Sequence, residues 1–256
     1  RKRLIARPAV VQLPGGIRMY CHRDNTVASQ TWYFGPYTEY HELLFMTRYL
    51  RAGDGVIDAG ANIGLYSLLA APIVGPEGRI DCFEPATAAA SRLAENIALN
   101  GLGHVHLHRV AVSDRPGDVV FSTGWDVSNS IVPEGAAQSE GVSVRATTLD
   151  DALCGREYAF AKLDLEGAEG LALRGASRLL AAQNPPVWQC EIYENTLRRF
   201  GSTSAEVISQ LRENGYVLAI YDADTNLLLR TLDATGATNL LAIAEDFWEQ
   251  VLERLG

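Results

Sequence analysis

None of the four cysteines, Cys21, Cys82, Cys154 and Cys190, forms a Cys-x-x-Cys pair with another. That spacing carries most redox and many zinc sites, so neither is expected here. Cys82 and Cys190 fall inside apolar runs, where a free thiol serves as a small hydrophobe. A reduced, cytoplasmic protein is the simple expectation. Long apolar runs are missing too: none approaches the length needed to span a membrane. The first residues are basic but hold no uninterrupted apolar segment, so a secretory signal is not expected. Positive charge is scarce, with 22 Lys and Arg against 31 Asp and Glu and a net charge of -9. Nucleic acid and anionic membrane reward clustered cations, and neither is expected as a partner. Internal repeats and low-complexity tracts are absent as well.

What remains describes a globular chain. Hydrophobic residues make up 47% of the 256 positions, enough for a full core. From Gly55 onward, strand patterns at 56–59, 79–83, 105–110, 159–164, 187–192, 216–221 and 239–243 alternate with helical ones. The helical patterns fall at 64–73, 87–100, 168–181, 205–214 and 246–255. That alternation predicts βαβ units and a mostly parallel sheet covered on both faces. Residues 1–54 break the rhythm, with a hairpin expected around Pro14-Gly15-Gly16 and an amphipathic run at 39–50. They are read as an N-terminal extension that caps an acceptor site, followed by a single α/β domain over 55–256. Residues 112–150 add strands at 119–122 and 142–147 around a long polar loop at 123–141 that carries Trp125, a candidate lid contact.

The stretch from Val56 to Ala70 is the most informative. A short apolar strand ends at Asp58, Gly60 and Gly64 bracket a turn, and a helical apolar face begins at Leu65. Such a turn brings bare backbone N–H groups against a ligand. The next strand delivers Glu84 twenty residues beyond Gly64, where a nucleotide-binding α/β unit places an acid for ribose hydroxyls. Dinucleotide sites put a glycine where this chain has Asn62, so that a pyrophosphate can approach. A cofactor without pyrophosphate fits better, and S-adenosylmethionine is the obvious one. Tight strand–helix packing alone would also call for Gly60 and Gly64, but would leave Asp58 and Glu84 without a reason.

A second candidate is Lys-Leu-Asp-Leu-Glu-Gly-Ala-Glu (162–169). Asp164 is placed at the carboxyl end of the fourth strand, beside the crevice of a doubly wound sheet. Glu166 and Glu169 fall at an expected helix start, where the dipole favours negative charge without any catalytic role. Asp164 is the first choice for a polar role beside a reacting group, and Glu191, ending the fifth strand, is the second. With Asn195 these acids offer oxygen ligands for Mg²⁺, a lesser reading. His104, His106 and His108 alternate along one strand, which suits a half-solvated edge better than zinc. His41 is either a base near neutral pH or a helix-surface residue.

These blocks, with others, carry a resemblance. Val-Ile-Asp-Ala-Gly-Ala-Asn-Ile-Gly-Leu-Tyr-Ser (56–67), Phe-Glu-Pro (83–85), Asn-Ile-Ala-Leu-Asn-Gly (96–101), Ala-Val-Ser-Asp (111–114), Thr-Leu-Asp-Asp (148–151) and the 162–169 block follow in order. Together they closely resemble the FkbM family of S-adenosylmethionine-dependent methyltransferases, over about 37–216. The resemblance implies the Rossmann-like, seven-stranded class I methyltransferase sheet and methylation of a hydroxyl on a sugar or natural-product scaffold, hence a small-molecule acceptor. By the same resemblance Asp58, Gly60, Asn62 and Gly64 form the cofactor turn, Glu84 holds the ribose, and Ala111 and Val112 lie near the adenine. Tyr37 and His41 belong to a segment that approaches cofactor and acceptor. The rivals are a nicotinamide-dependent oxidoreductase and a binding module that kept the fold without activity.

Overall fold

The computed structural model describes residues 8–35, 39–122, 131–132, 141–153, 155–232 and 239–256. The chain opens with β1 (Ala9–Gln12), β2 (Arg18–Cys21), α1 (Thr26–Phe34) and α2 (Tyr40–Tyr49). It continues through β3 (Gly55–Ala59), α3 (Leu65–Val74), β4 (Arg79–Phe83), α4 (Thr87–Asn100) and β5 (Val105–His108). Next come β6 (Ala111–Val112), β7 (Gly117–Ser122), β8 (Gly141–Thr147) and α5 (Leu149–Leu153). Then follow β9 (Phe160–Leu163), α6 (Glu169–Arg174), α7 (Ser177–Ala181), β10 (Val187–Glu191) and α8 (Glu194–Leu197). The chain closes with α9 (Ser204–Glu213), β11 (Tyr216–Asp222), β12 (Leu227–Arg230), β13 (Asn239–Ala244) and α10 (Trp248–Leu255).

The main sheet runs β12-β11-β13-β10-β9-β3-β4-β5. The five strands from β10 to β5 are parallel, and β13 is antiparallel to both β10 and β11. Without β12 this is the expected seven-stranded, mostly parallel sheet. The extra strand pairs with β11 as a hairpin across the Asp222–Leu227 register. Chain order reverses between β3 and β9, because β4 and β5 extend the sheet one way and β9 and β10 the other. At such a switch the loops leaving the two strands diverge and open a crevice at their carboxyl ends. Strand β3 is buried at every residue, as an apolar run sandwiched between helices requires.

One core cluster fills the face under α2 and α3, and another fills the opposite face under α5, α6 and α7. Leu13, Met19, Leu43 and Phe45 pack in the first cluster with Val56 and Leu68, so the N-terminal elements share the core of the α/β sheet. The hairpin expected around Pro14 is present as β1 and β2. Helix α1 was not legible as a helix, although Asn25 caps it by accepting the Ala28 N–H at 2.7 Å.

Two boundaries differ from expectation. The helix read over 168–181 is split into α6 and α7 around Gly175, where an added Cβ would stand 2.2 Å from the Ser113 carbonyl oxygen. Asp150 then caps the second piece, accepting from Arg178 N at 2.9 Å and Leu179 N at 3.0 Å. The third strand ends at His108, not Val110, since Ala111 and Val112 leave it to pair with β8 in a small separate sheet, β6-β8-β7.

Candidate active site

The turn between β3 and α3 is built for close approach. Gly60 has φ +84°, and a Cβ there would lie 1.8 Å from the Asp164 carbonyl oxygen. Gly64 has φ +95°, and its Cβ would meet Leu93 Cδ1 at 2.3 Å. Both glycines are therefore required by conformation and by space. Gly60 N and Ala61 N both donate to the Phe83 carbonyl, which ties the turn to the end of β4. Asn62, itself left-handed at φ 49°, donates its backbone N–H to Glu84 Oε2 at 2.9 Å. Glu84 Oε1 accepts from Ala86 N at 2.8 Å. Each carboxylate oxygen thus holds one backbone donor and keeps a lone pair. Burial, partly offset by those two donors, pushes the Glu84 carboxyl up to about 7.

Asp58 lies beneath the turn. Its Oδ2 accepts from Ser67 Oγ at 2.6 Å and Ser67 N at 3.1 Å, while Oδ1 is buried with no partner among the described residues. Burial raises this carboxyl as well. Its register neighbour on β9 is Lys162, whose register neighbour on β10 is Gln189. The three form a buried polar row across the centre of the sheet, and Gln189 Oε1 is a second acceptor without a partner among the described residues. Lys162 Nζ donates to Asp164 Oδ2 at 2.7 Å and lies 4.5 Å from the centre of the Tyr66 ring. The Tyr66 hydroxyl donates to Glu39 Oε2 at 2.5 Å and accepts from Gln189 Nε2 at 2.8 Å.

A cavity of about 340 Å³ opens above this floor. Its wall includes Asp58, Gly60, Asn62, Glu84, Ala111, Val112, Asp164 and Glu191, so the structure brings these expected residues together. Phe83, Pro85, Ala86, Ala89 and Val110 add apolar surface, and Thr26, Val27 and Gln30 of α1 form part of the wall. Asn25, at the start of α1, donates to Asn62 Oδ1 at 3.2 Å and ties that helix to the turn. Tyr37 and Trp125 lie outside the described residues.

The carboxylates of Asp164, Glu166 and Glu191 come within 4.8 Å of one another. Burial and then Asp164 and Glu166 push Glu191 up to about 8, and burial and then Asp164 push Glu166 up to about 7. Glu166 was expected in a helical first turn. It stands before that turn, with φ 55°, and lines the cavity instead. Glu169 does have the structural role: its Oε1 accepts from Leu165 N at 2.7 Å and Gly167 N at 3.3 Å, fixing the loop that carries Asp164.

Other expected residues are placed elsewhere. His41 accepts the Ala223 N–H at Nδ1, 3.0 Å away, and faces a second cavity of about 240 Å³ between α2 and β11. Asn195 donates to the Tyr193 hydroxyl, and of the oxygen set considered for Mg²⁺ the structure brings together Asp164 and Glu191, with Glu166 as their third neighbour. The three histidines around the third strand are all partly buried at the sheet edge, and among the described residues none belongs to a metal-holding group. His104 contacts the Ala71 carbonyl at 3.1 Å, and His108 contacts Asp81 Oδ1 at 2.7 Å on the edge strand β5. Lys162, Tyr66 and Glu39 were missed as site residues. A single lysine inside the apolar run 159–163 was the available signal, since a buried ammonium demands charged partners.

The family model of the methyltransferase FkbM domain matches residues 58–218. No curated protein matches the chain. Among solved structures, a putative rRNA-methylase from Clostridium thermocellum is 13% identical, with a TM-score of 0.49, over 78% of this chain and 90% of that one. Aeropyrum pernix fibrillarin, in complex with natively bound S-adenosyl-L-methionine, is 14% identical over 92% of each chain, with a TM-score of 0.46. A SAM-dependent O-methyltransferase from Thermotoga maritima is 14% identical over 92% of this chain and 76% of its own, with a TM-score of 0.43. With the family's domain spanning most of the sheet, the chain belongs to the FkbM family of S-adenosylmethionine-dependent methyltransferases.

Proposed function

We propose that the protein methylates a hydroxyl oxygen of a small molecule, on a sugar or natural-product scaffold, in the cytoplasm. The observation that carries this reading is the charge of the cavity wall. Asp58, Glu84, Asp164, Glu166 and Glu191 face it, with Lys162 as the counter-charge at its floor. Burial and mutual repulsion raise the proton affinity of Asp58, Glu84, Glu166 and Glu191, so a bound sulfonium is favoured because it relieves that repulsion, whereas the pyrophosphate of a nicotinamide dinucleotide would add to it.

The residues fit S-adenosylmethionine. Asp58 Oδ1 is a buried acceptor awaiting a donor, as an ammonium would supply. Glu84 keeps a free lone pair on each oxygen for ribose hydroxyls, and the side-chain-free turn at Gly60 and Gly64 leaves the approach open. Ala111, Val112 and Phe83 offer apolar surface to an adenine ring. When bound, the cofactor supplies an electrophilic methyl group for in-line displacement. The chain's own part is to align the acceptor oxygen and to receive its proton. Glu191 has no side-chain hydrogen bond or ion pair among the described residues, and its raised affinity for protons suits it to take that proton on a carboxylate oxygen. Asp164 is already engaged by Lys162, which also provides the counter-charge that a magnesium ion would otherwise bring. Helix α1 and Glu39 close the acceptor side, consistent with a capping role for the N-terminal residues.

Calorimetry tests the cofactor: S-adenosylmethionine and S-adenosylhomocysteine should bind and NAD should not, and heat with NAD alone would overturn the reading. Mass spectrometry on a panel of hydroxylated small molecules, incubated with protein and S-adenosylmethionine, then tests the acceptor. Methyl ethers among the products are expected, and exclusive N-methylation would refute the oxygen assignment.

A further inference from the structure

The position of Lys162 has a consequence for the charge that a bound cation would experience. Its ammonium is buried and faces charged or aromatic groups from four directions. These are Asp58 on β3, Tyr66 on α3, Glu39 just before α2, and Asp164 at the end of its own strand. Burial alone would lower its proton affinity, yet Asp164, Glu39 and Asp58 together hold it above the ordinary lysine value. The 2.7 Å contact to Asp164 Oδ2 fixes that carboxylate against the floor of the cavity. By contrast, among the described residues neither Glu166 nor Glu191 makes a hydrogen bond or an ion pair within 4.0 Å; Arg199 and Lys162 act on Glu166, and Lys162 on Glu191, only at longer range.

We infer that Lys162 is a positioning residue that cancels the charge of Asp164, so that the sulfonium of the cofactor is read by Glu166 and Glu191. This rests on the proposed cofactor. Methyl transfer turns a cationic sulfonium into a neutral thioether, so a carboxylate that gripped the cation at full strength would stabilise the reactant over the transition state. Holding Asp164 in an internal pair limits that grip. It also leaves the acceptor's proton to Glu191.

The experiment compares binding of S-adenosylmethionine and S-adenosylhomocysteine by calorimetry, two ligands that differ by one methyl and one charge. Lys162→Met should raise the preference for the charged ligand about tenfold or more, the effect of unmasking one carboxylate at short range. Lys162→Arg should restore the wild-type preference. A lysine that only supported the fold, or that held the cofactor's carboxylate, would on removal weaken both ligands by the same factor, and that result would overturn the inference. If Lys162→Met does not fold, two substitutions that leave the lysine in place decide. Measured above pH 8, where Glu191 is ionised, Glu191→Gln should lower the preference for the charged ligand more than Asp164→Asn, and the reverse order would refute the masking of Asp164. Wild-type protein that bound neither ligand would sink the cofactor reading itself.

Discussion

Replacing Glu84 by glutamine should change the stability of the ligand-free protein in opposite directions at low and high pH. Glu84 is only 6% exposed. Its carboxyl is raised from 4.5 to about 7, chiefly by burial. Between those two values the folded state holds a proton that the unfolded state has released, so stability falls as pH rises. That contribution is fully present below pH 4.5 and gone above about 7. Carrying the ionised group in the fold then costs about 3 kcal/mol. A glutamine removes the ionisation but offers a single oxygen to two donors, Asn62 N and Ala86 N, and sets its own NH₂ against one of them. Leaving one buried donor unpaired costs about 1–3 kcal/mol at any pH.

For a chain of this size, 1 kcal/mol corresponds to roughly 2–4 °C in Tm. The variant should therefore melt several degrees below wild type at pH 5 and match or exceed it at pH 8.5. Circular dichroism melts of both proteins without ligand, at the two pH values, make the comparison. A constant offset at both would refute the reasoning, since it would mean that Glu84 is not carried into the fold against its charge. Saturating S-adenosylmethionine should then raise the Tm of wild type at pH 8.5 more than that of the variant, because the variant has lost a ribose acceptor.

The other predictions probe separate parts of the site and its support. Gly60→Ala puts a methyl group into the Asp164 carbonyl at a positive φ, and should abolish cofactor binding in calorimetry even where circular dichroism still shows a fold. Asp81→Asn breaks a buried carboxylate held by Arg79, His108 and Tyr158, and should cost about 3–5 kcal/mol in urea unfolding. Those donors outweigh burial and keep Asp81 ionised well below the usual carboxylate range, so its contribution is present above about pH 4 and lost only in stronger acid. Once an acceptor is in hand, turnover should rise with pH through about 8 as Glu191 gives up its proton, and Glu191→Gln should remove that limb and most of the rate. A wild-type rate that is flat from pH 6 to 9 would exclude Glu191 as the base.

The cofactor turn was legible because its signal is local. Asp58, Gly60, Asn62 and Gly64 lie within seven residues, and Glu84 follows by one helix and one strand. Their geometry is set by a left-handed turn that few residues can form, so composition and spacing carry it. The floor of the site has no such signature. Asp58, Lys162 and Gln189 are far apart in sequence and meet only through the register of three parallel strands. Tyr66 joins them because α3 lays its first turn across that row, and its hydroxyl reaches Glu39, at the start of the amphipathic run in the N-terminal extension. The split of α6 from α7 was hidden for the same reason: Gly175 is small because Ser113, on a distant segment, passes against it. His41 could be read locally as a base or as a helix-surface residue; it lies half-exposed on α2, away from the first cavity, and a backbone N–H at Ala223 occupies its Nδ1.

The polar row itself has a cost that explains where it lies. Three polar side chains, each at most 5% exposed, occupy positions that would otherwise be Val or Ile in a parallel sheet. Two of their acceptor atoms have no partner among the described residues, which costs the fold about 1–3 kcal/mol apiece. Nothing in the packing of α2 or α3 requires this, since Phe45, Leu68 and Val56 fill the same face with apolar side chains. The row runs through β3, β9 and β10, which flank the point where strand order reverses and the crevice opens. Two of these destabilising polar groups, Asp58 and Lys162, line the crevice, and there they are best accounted for by the ligand. Donors brought by the cofactor would satisfy Asp58 Oδ1, and the fold recovers on binding part of what it gave up in forming the row. Cofactor stabilisation should accordingly be smaller in Asp58→Asn, whose amide presents one oxygen where the carboxylate presents two, than in wild type under the same melting conditions.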